Sequence, residues 1–440
     1  MINNKKFISG LLLLFLSVLQ LHAQEIMSLE QMIEKARENN KSLKISQNEI
    51  KIASEKHKEV KSNLLPKINA TGEYKYFFDL PTQLMPAKAF NPMAPEWQFK
   101  AAQFGVPHNI NANVQLMMPL FNPQLYTNIK TTKIARELSS LKYKKTKEQI
   151  FYDISNMYYN AQIIKSQLKF IDGNITNTQK LLDNLKLLKT QGLAKGSDVN
   201  KIDLQLQQLK TQKQQAQINY TQVLDALKFY MGMPLNKQID VEENIDTSTS
   251  TYAYKKETTL DYKLAKTKTR LIKNEIKSLK RSRLPSLSLM ASYGQTGYGY
   301  DEEPHDFLDF YDVSFIGARL NIPVFNGTTI TRKIKQKKYE LQNSQLQLEL
   351  IADKKEMEIN NAKLKLAVSK KNIENTKAQV ALAQTVYEQT LLEQKHGVAG
   401  LTDVIMADNE LRKAQQNYLQ AQIDYMKADL ELKKITGQIK

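Results

Sequence analysis

Few residues in this chain could carry out chemistry, and they are scattered. The histidines (His22, His57, His108, His305 and His396) share no spacing with each other or with an acidic residue that would build a metal site. The stretch "GYGYDEEPHD", Gly297 to Asp306, clusters carboxylates that could bridge through Ca²⁺ or to lipopolysaccharide. It reads more simply as a solvated loop. There is no G-x-x-x-x-G-K-[ST], no G-x-S-x-G and no H-E-x-x-H. Cysteine is absent, which removes disulfides and thiolate metal sites. Hence no enzyme activity, no cofactor and no metal are expected.

The carboxylates that do carry a pattern come in pairs. "GLAKGSDV", Gly192 to Val199, returns as "GVAGLTDV", Gly397 to Val404, so Asp198 matches Asp403. With nearly the same offset, "PLFN" at Pro119 returns as "PVFN" at Pro323, and "MG" at Met231 as "TG" at Thr436. The "LP" at Leu65 and at Leu284 is displaced further, which places an insertion in the first copy between Asp79 and His108. The chain is therefore duplicated. The first copy covers 24–240 and the second 258–440, with a Thr- and Ser-rich linker over 241–257.

The elements around these carboxylates are long helices. Ile150, Ile154, Met157, Ala161 and Ile164 recur at spacings of four and three, as do Val199, Ile202, Leu206 and Leu209, and Val404, Ala407, Leu411 and Ala414. This is a coiled-coil seam. Helices are predicted over 124–191 and 198–231, and again over 328–396 and 402–436. An ordinary amphipathic bundle would share the periodicity. It would not need a helix of roughly 100 Å, the length that 124–191 implies at 1.5 Å per residue.

Before each long helix the period changes to two. Ile110, Val114, Leu116 and Leu120 fall on one face, and Asn109, Asn111, Asn113 and Gln115 on the other. Strands are predicted over 67–78, 109–120, 286–298 and 312–324, each with one apolar and one wet face. A small sheet covered by helices would show this, and so would strands of a membrane barrel. The lengths suit tilted membrane strands, and aromatics stand at both ends: Tyr74, Tyr76, Phe77 and Phe78 at one, Phe121 and Phe325 at the other. Four strands cannot close a barrel, since the smallest bacterial ones have about eight. Open edges are not tolerated in lipid, so several chains must share one barrel. Ile110, Val114, Leu116, Leu320 and Ile322 are then the lipid-facing candidates.

The N-terminus, "MINNKKFISGLLLLFLSVLQLHAQ", reads as a secretory signal peptide over 1–23, removed near Gln24. Its apolar run is shorter than the ~20 residues of a membrane anchor. Without a cysteine at the cleavage point the mature chain is not a lipoprotein. The net charge of +18 can signal nucleic-acid binding. In an exported chain whose lysines are spread along helix faces it reads as solvated surface with some contact to anionic lipid head groups, and no nucleic acid is expected.

The joint pattern of LP, strand, loop, strand, P[LV]FN, long helix, G[LV]xxx[ST]DV, helix and [MT]G, written twice, resembles the TolC-type outer-membrane efflux family. The resemblance implies a mainly α fold with a small β part. Duplicated long α-helical hairpins would form an α-barrel, and four transmembrane β-strands per chain would build a twelve-stranded barrel in a homotrimer. It implies a passive channel of a tripartite efflux or type I secretion system, in the outer membrane and extending into the periplasm. Its partners would be a periplasmic adaptor (membrane fusion) protein and an inner-membrane pump, with outer-membrane lipid around the barrel. The adaptor-docking tips would be Gly192, Leu193 and Ser197 with Gly397, Val398 and Thr402. Ser197 and Thr402, or the aspartate after each, can cap the following helix. Asp198, Asp203 and Asp403 are entrance candidates, and each Asp of the pair reads equally as a cap. The family often carries a further carboxylate where this chain has Met406, and Asp408 is a poor substitute for it. A periplasmic adaptor also uses coiled-coil hairpins, but it would need one hairpin flanked by β-rich halves.

Overall fold

The computed structural model describes residues 25–243, 259–300 and 309–439. The expected signal peptide, most of the linker and the acidic stretch after Tyr300 lie outside the described residues. The elements run β1 (Glu25–Met27), α1 (Leu29–Asn39), α2 (Lys41–Ser62), β2 (Lys67–Tyr76), β3 (Thr82–Pro86), β4 (Phe99–Gln103), β5 (His108–Phe121), α3 (Pro123–Thr190) and α4 (Gly196–Met231). They continue with β6 (Ile239–Val241), α5 (Leu260–Arg281), β7 (Ser286–Gly299), β8 (Asp309–Asn321), α6 (Thr329–Lys395) and α7 (Leu401–Thr436). The fold is mainly helical with a small sheet part, as expected.

The described residues group into two compact units: those within Met1–Ile50, Ser139–Lys266 and Leu346–Lys440 in the first, and those within Lys51–Leu138 and Thr267–Gln345 in the second. The first unit is helical. The heptad residues bury there: Ile150, Ile154, Ala161, Ile202, Leu206, Leu209, Val404 and Leu411 are all inside. On α6 the seam is Ala352, Ile359, Leu366 and Tyr387, all buried, while Leu350, Met357 and Leu364 on the same helix stay exposed. Near the helical turns Leu182, Leu185, Val199 and Leu206 pack with Tyr387, Val404 and Leu411, so the two copies share one apolar core. At the other end of the hairpins Met27, Met32, Phe151, Ile154, Leu227 and Met231 form a second core.

Two small features brace the start of this unit. The β1 strand pairs in parallel with β6, Ile26 opposite Asp240, which ties the start of the first copy to its end. Ser28 caps α1 by accepting from the Gln31 N–H, and Gln31 answers by accepting from the Ser28 N–H at 2.9 Å.

The second unit holds one antiparallel sheet in the order β2-β5-β7-β8. The two copies meet at its centre, where β5 pairs with β7 from Asn109 opposite Tyr298 to Met118 opposite Leu289. The strand expected over 312–324 is Asp309–Asn321 instead. Pro323 has no N–H to give the ladder, so pairing stops before it. The first-copy insertion contains a hairpin, β3 with β4, that alternation alone did not reveal. Below the sheet α5 packs on α3 through polar contacts. Asn274 donates to Thr131 Oγ1 at 2.8 Å and to the Thr127 carbonyl, and Ser278 donates to Asn128 Oδ1.

Candidate functional site

The sheet has two unlike faces, and the register decides which residues share them. Ile68 stands opposite Leu116 and Ala70 opposite Val114; Leu116 in turn faces Ala291, and Ala291 faces Ile316. With Ile110 and Leu320 in the same rows, these residues make one continuous apolar face. Much of it is bare in the single chain: Val114 is 47% exposed, Ile316 77% and Leu320 60%. Ile110 and Leu116 are half-buried. Ile322, expected on this face as a strand residue, lies beyond the end of β8.

The opposite face is wet and cross-linked. Thr71 donates to Asn113 Oδ1 at 2.9 Å, Thr296 donates to Asn111 Oδ1 at 2.9 Å, and Asn111 donates to Asn109 Oδ1 at 2.6 Å. These bonds tie β2, β5 and β7 together through amides and hydroxyls. Lys75 pairs with Glu73 at 2.9 Å. At the strand ends far from the prolines, Tyr74, Phe78, Tyr298, Phe310 and Tyr311 are exposed, and Phe121 and Phe325 are exposed at the proline end; Tyr293 is exposed in the middle of β7. Aromatic rims bounding an apolar band are a pattern that membrane-barrel strands share.

The helical turns are nearly superimposable in design. Gly192 and Gly397 both adopt φ +75, and each follows the last turn of a long helix. Only glycine takes this left-handed conformation without steric cost, and it releases the chain from the helix. The Leu193 N–H donates to the Leu188 carbonyl and the Val398 N–H to the Glu393 carbonyl, both at 2.9 Å. Leu193 and Val398 project into solvent, 73% and 79% exposed.

The expected hydroxyl caps are not formed. The residues at the N-cap positions are Lys195 and Gly400, because α4 and α7 begin earlier, at Gly196 and Leu401. Ser197 and Thr402 therefore sit inside the first turn, where their own N–H groups already point out of the helix end. In the second copy the aspartate does the capping: Asp403 Oδ2 accepts from the Gly400 N–H at 2.8 Å. In the first copy Asp198 stands 3.9 Å from Lys201. Asp203 is exposed and accepts from Gln207.

Asp408 is not an exposed substitute for the missing carboxylate but a buried one. It pairs with Arg412 one turn on, and Gln205 of the first copy donates to it at 2.6 Å. Burial pushes its carboxyl above the ordinary range, against the pull of Arg412 and Gln205. Arg412 also donates to Thr178 Oγ1 at 3.2 Å, and Asn174 donates to Gln415 Oε1 at 2.9 Å. Sequence reasoning missed this polar layer. Its signal was the four-residue spacing of Asp408 and Arg412 directly beside the seam residues Ala407 and Leu411. A second charged centre joins three helices: Asp261 at the start of α5 takes Lys145 of α3 at 3.1 Å and Lys355 of α6 at 3.4 Å. Burial alone would raise the Asp261 carboxyl, but the two lysines outweigh it and hold it below the ordinary value. Among the described residues no three His, Asp or Glu converge as metal ligands, and no helix is long and apolar enough to cross a membrane.

The chain is similar to known channel proteins along most of its length. It is 22% identical over 425 residues to the outer membrane protein TolC of Escherichia coli K12, covering 94% of this chain and 82% of that one. It is 20% identical to the proteases secretion protein PrtF of Dickeya chrysanthemi, over 75% of this chain and 73% of the other. Its fold matches the crystal structure of the outer membrane protein VceC from Vibrio cholerae with a TM-score of 0.73 at 15% identity, covering 93% of this chain and 96% of that chain. The sequence profile of the family described as outer membrane efflux protein matches residues 32–233 and 263–438, one block for each copy. A four-stranded sheet with one bare apolar face, duplicated helical hairpins and this two-block match together establish that the chain belongs to the outer membrane efflux protein family, whose members are outer-membrane channels of efflux and type I secretion systems.

Proposed function

We propose that three copies of this chain pool their strands into one twelve-stranded barrel in the outer membrane. Their helices continue it as a tunnel into the periplasm. The observation that carries this reading is the open sheet. Among the described residues its edge strands β2 and β8 pair on one side only, while the apolar face between them is exposed. An open edge is not tolerated in lipid, so identical chains must supply the missing pairs. The bare second stripe on α6, including Leu350, Met357 and Leu364, supports packing against another copy along the helices.

In this reading the export signal over 1–23 is removed. The turns at Gly192, Leu193 and Ser197 and at Gly397, Val398 and Thr402 are the docking points for a periplasmic adaptor. Asp198, Asp203 and Asp403 line the entrance, where threefold symmetry repeats each carboxylate and favours cations. The duct is passive, and an inner-membrane pump supplies the energy. The relatives' names favour efflux or protein secretion as its use. Fractionation tests the proposal: the chain is expected in the outer membrane as a trimer whose gel mobility changes on heating. Recovery as a soluble periplasmic monomer would overturn it.

A further inference from the structure

The helix segments that enter and leave the sheet are strongly basic. On α5 the residues Arg270, Lys273, Lys277 and Lys280 recur at spacings of three and four and lie along one exposed face. That face cannot rotate away. Thr269 on one flank bonds Ser344 of α6 at 2.8 Å, and Asn274 on the other bonds Thr127 and Thr131 of α3. Arg270 pairs with Glu137. Lys273, Lys277 and Lys280 make no ion pair among the described residues.

The neighbouring α6 begins "TITRKIKQKK" and has no acidic residue in its first turn. Arg332 and Lys333 stand where the helix macrodipole disfavours a cation. The nearby carboxylates are spoken for, since both Glu275 and Glu340 pair with Lys337, at 2.9 and 2.7 Å. Arg332 and Lys333 sit near a helix start, whereas Lys277 and Lys280 lie toward the end of α5, where the macrodipole favours cations. Lys273, Lys277 and Lys280 thus present a row of exposed positive charge, and such a row attracts anions.

The strands locate those anions. These cations form a basic collar that begins at Lys280, five residues before Pro285, and at Arg332, seven residues after the exposed Phe325; Pro285 and Phe325 mark the proline end of the apolar band. A lipid phosphate stands at that level, just outside the hydrocarbon. We propose that this collar binds the phosphates of anionic phospholipid head groups in the periplasm-facing leaflet, and so sets the depth of the barrel in the membrane. The inference rests on the membrane-spanning reading of the sheet.

The test uses the full-length protein in lipid nanodiscs of phosphatidylcholine alone, with added phosphatidylglycerol, or with inorganic phosphate in the buffer. The native protein is expected to retain phosphatidylglycerol through washing and to melt higher in its presence. K273Q/K277Q/K280Q should lose that retention by about fivefold per lysine removed, the weight of one basic residue at an anionic surface. K354Q/K365Q, on α6 away from the collar, serves as a control and should retain as the native protein does. Equal retention by the collar variant, or an equal melting shift with inorganic phosphate alone, would overturn the lipid assignment. Failure of the native protein to enter nanodiscs of either composition would instead overturn the membrane reading and this inference with it.

Discussion

Gln205 on α4 and Asp408 on α7 are joined by a hydrogen bond of 2.6 Å between side chains that come from different copies of the duplication. The contact links the two helical hairpins through a carboxylate that is 7% exposed and already paired with Arg412. Removing one partner of a buried pair leaves a charge without compensation. Arg412→Met should therefore destabilise the protein by about 3–5 kcal/mol. The double variant Asp408→Leu/Arg412→Met should recover most of the loss, because no buried charge remains. Denaturant midpoints of the native protein, Asp408→Leu, Arg412→Met and the double variant check this, and additive losses would show that the pair acts separately.

The two perturbed carboxylates predict opposite pH responses. The Asp261 carboxyl is held low in the folded protein, so its contribution is present above the ordinary carboxylate value and lost as pH falls through the lowered one. The Asp408 carboxyl is held high, so its protonation favours folding below the ordinary value, and that advantage fades as pH rises through the raised one. Melting midpoints measured across the acid range should lose part of their fall at low pH in Asp261→Asn. In Asp408→Asn they should lose part of their decline with rising pH in the mildly acidic range.

The two faces of β5 respond differently to charge. Leu116→Lys places an ammonium on the apolar face and should cost about 2–4 kcal/mol near the membrane midplane. Asn113→Lys places the same group on the wet face, where it should cost little beyond the hydrogen bond from Thr71. Trimer recovery in the outer-membrane fraction distinguishes them. Equal recovery of both variants would count against the assignment of the faces.

The glycines that end the short helices separate conformational strain from steric conflict. Gly232 and Gly437 both have φ near +70, but a Cβ on Gly232 would lie 2.6 Å from the Asn39 carbonyl oxygen, whereas on Gly437 it meets nothing within 4 Å. Gly437→Ala should cost about 1–2 kcal/mol for the left-handed backbone alone. Gly232→Ala should cost more, since α1 must shift as well. Thermal melting of the two variants provides the comparison.

At the helical turns the strain is the whole effect, because a Cβ on Gly192 or Gly397 meets nothing within 4 Å. Gly192→Val and Gly397→Val should distort the turns and weaken adaptor docking while leaving trimer assembly intact. Efflux measured in a strain carrying the matching adaptor and pump reads the first effect, and the trimer band on an unheated gel reads the second. Unchanged efflux in both variants would remove the docking role from these turns.

The sequence by itself determined the elements that depend on local periodicity. Alternation at Asn109 to Leu120 marks a strand with unlike faces, the four-and-three spacing through Ile150, Ile154 and Met157 marks the apolar stripe of a helix, and the uninterrupted run over 124–191 sets its length. Duplication followed from Asp198 and Asp403 recurring in matched contexts. Tertiary structure alone decided the features that need a partner remote in the chain. It paired β5 with β7, so that the two copies meet in the sheet. It folded β3 against β4 within an insertion whose composition carries no alternation. It moved the helix starts to Gly196 and Leu401, leaving Ser197 and Thr402 without a capping role. It buried Asp408, because a position beside the seam becomes interior only when a second hairpin covers it. Periodicity states which side of an element is apolar; only packing states what lies against that side, and burial and titration follow from the neighbour.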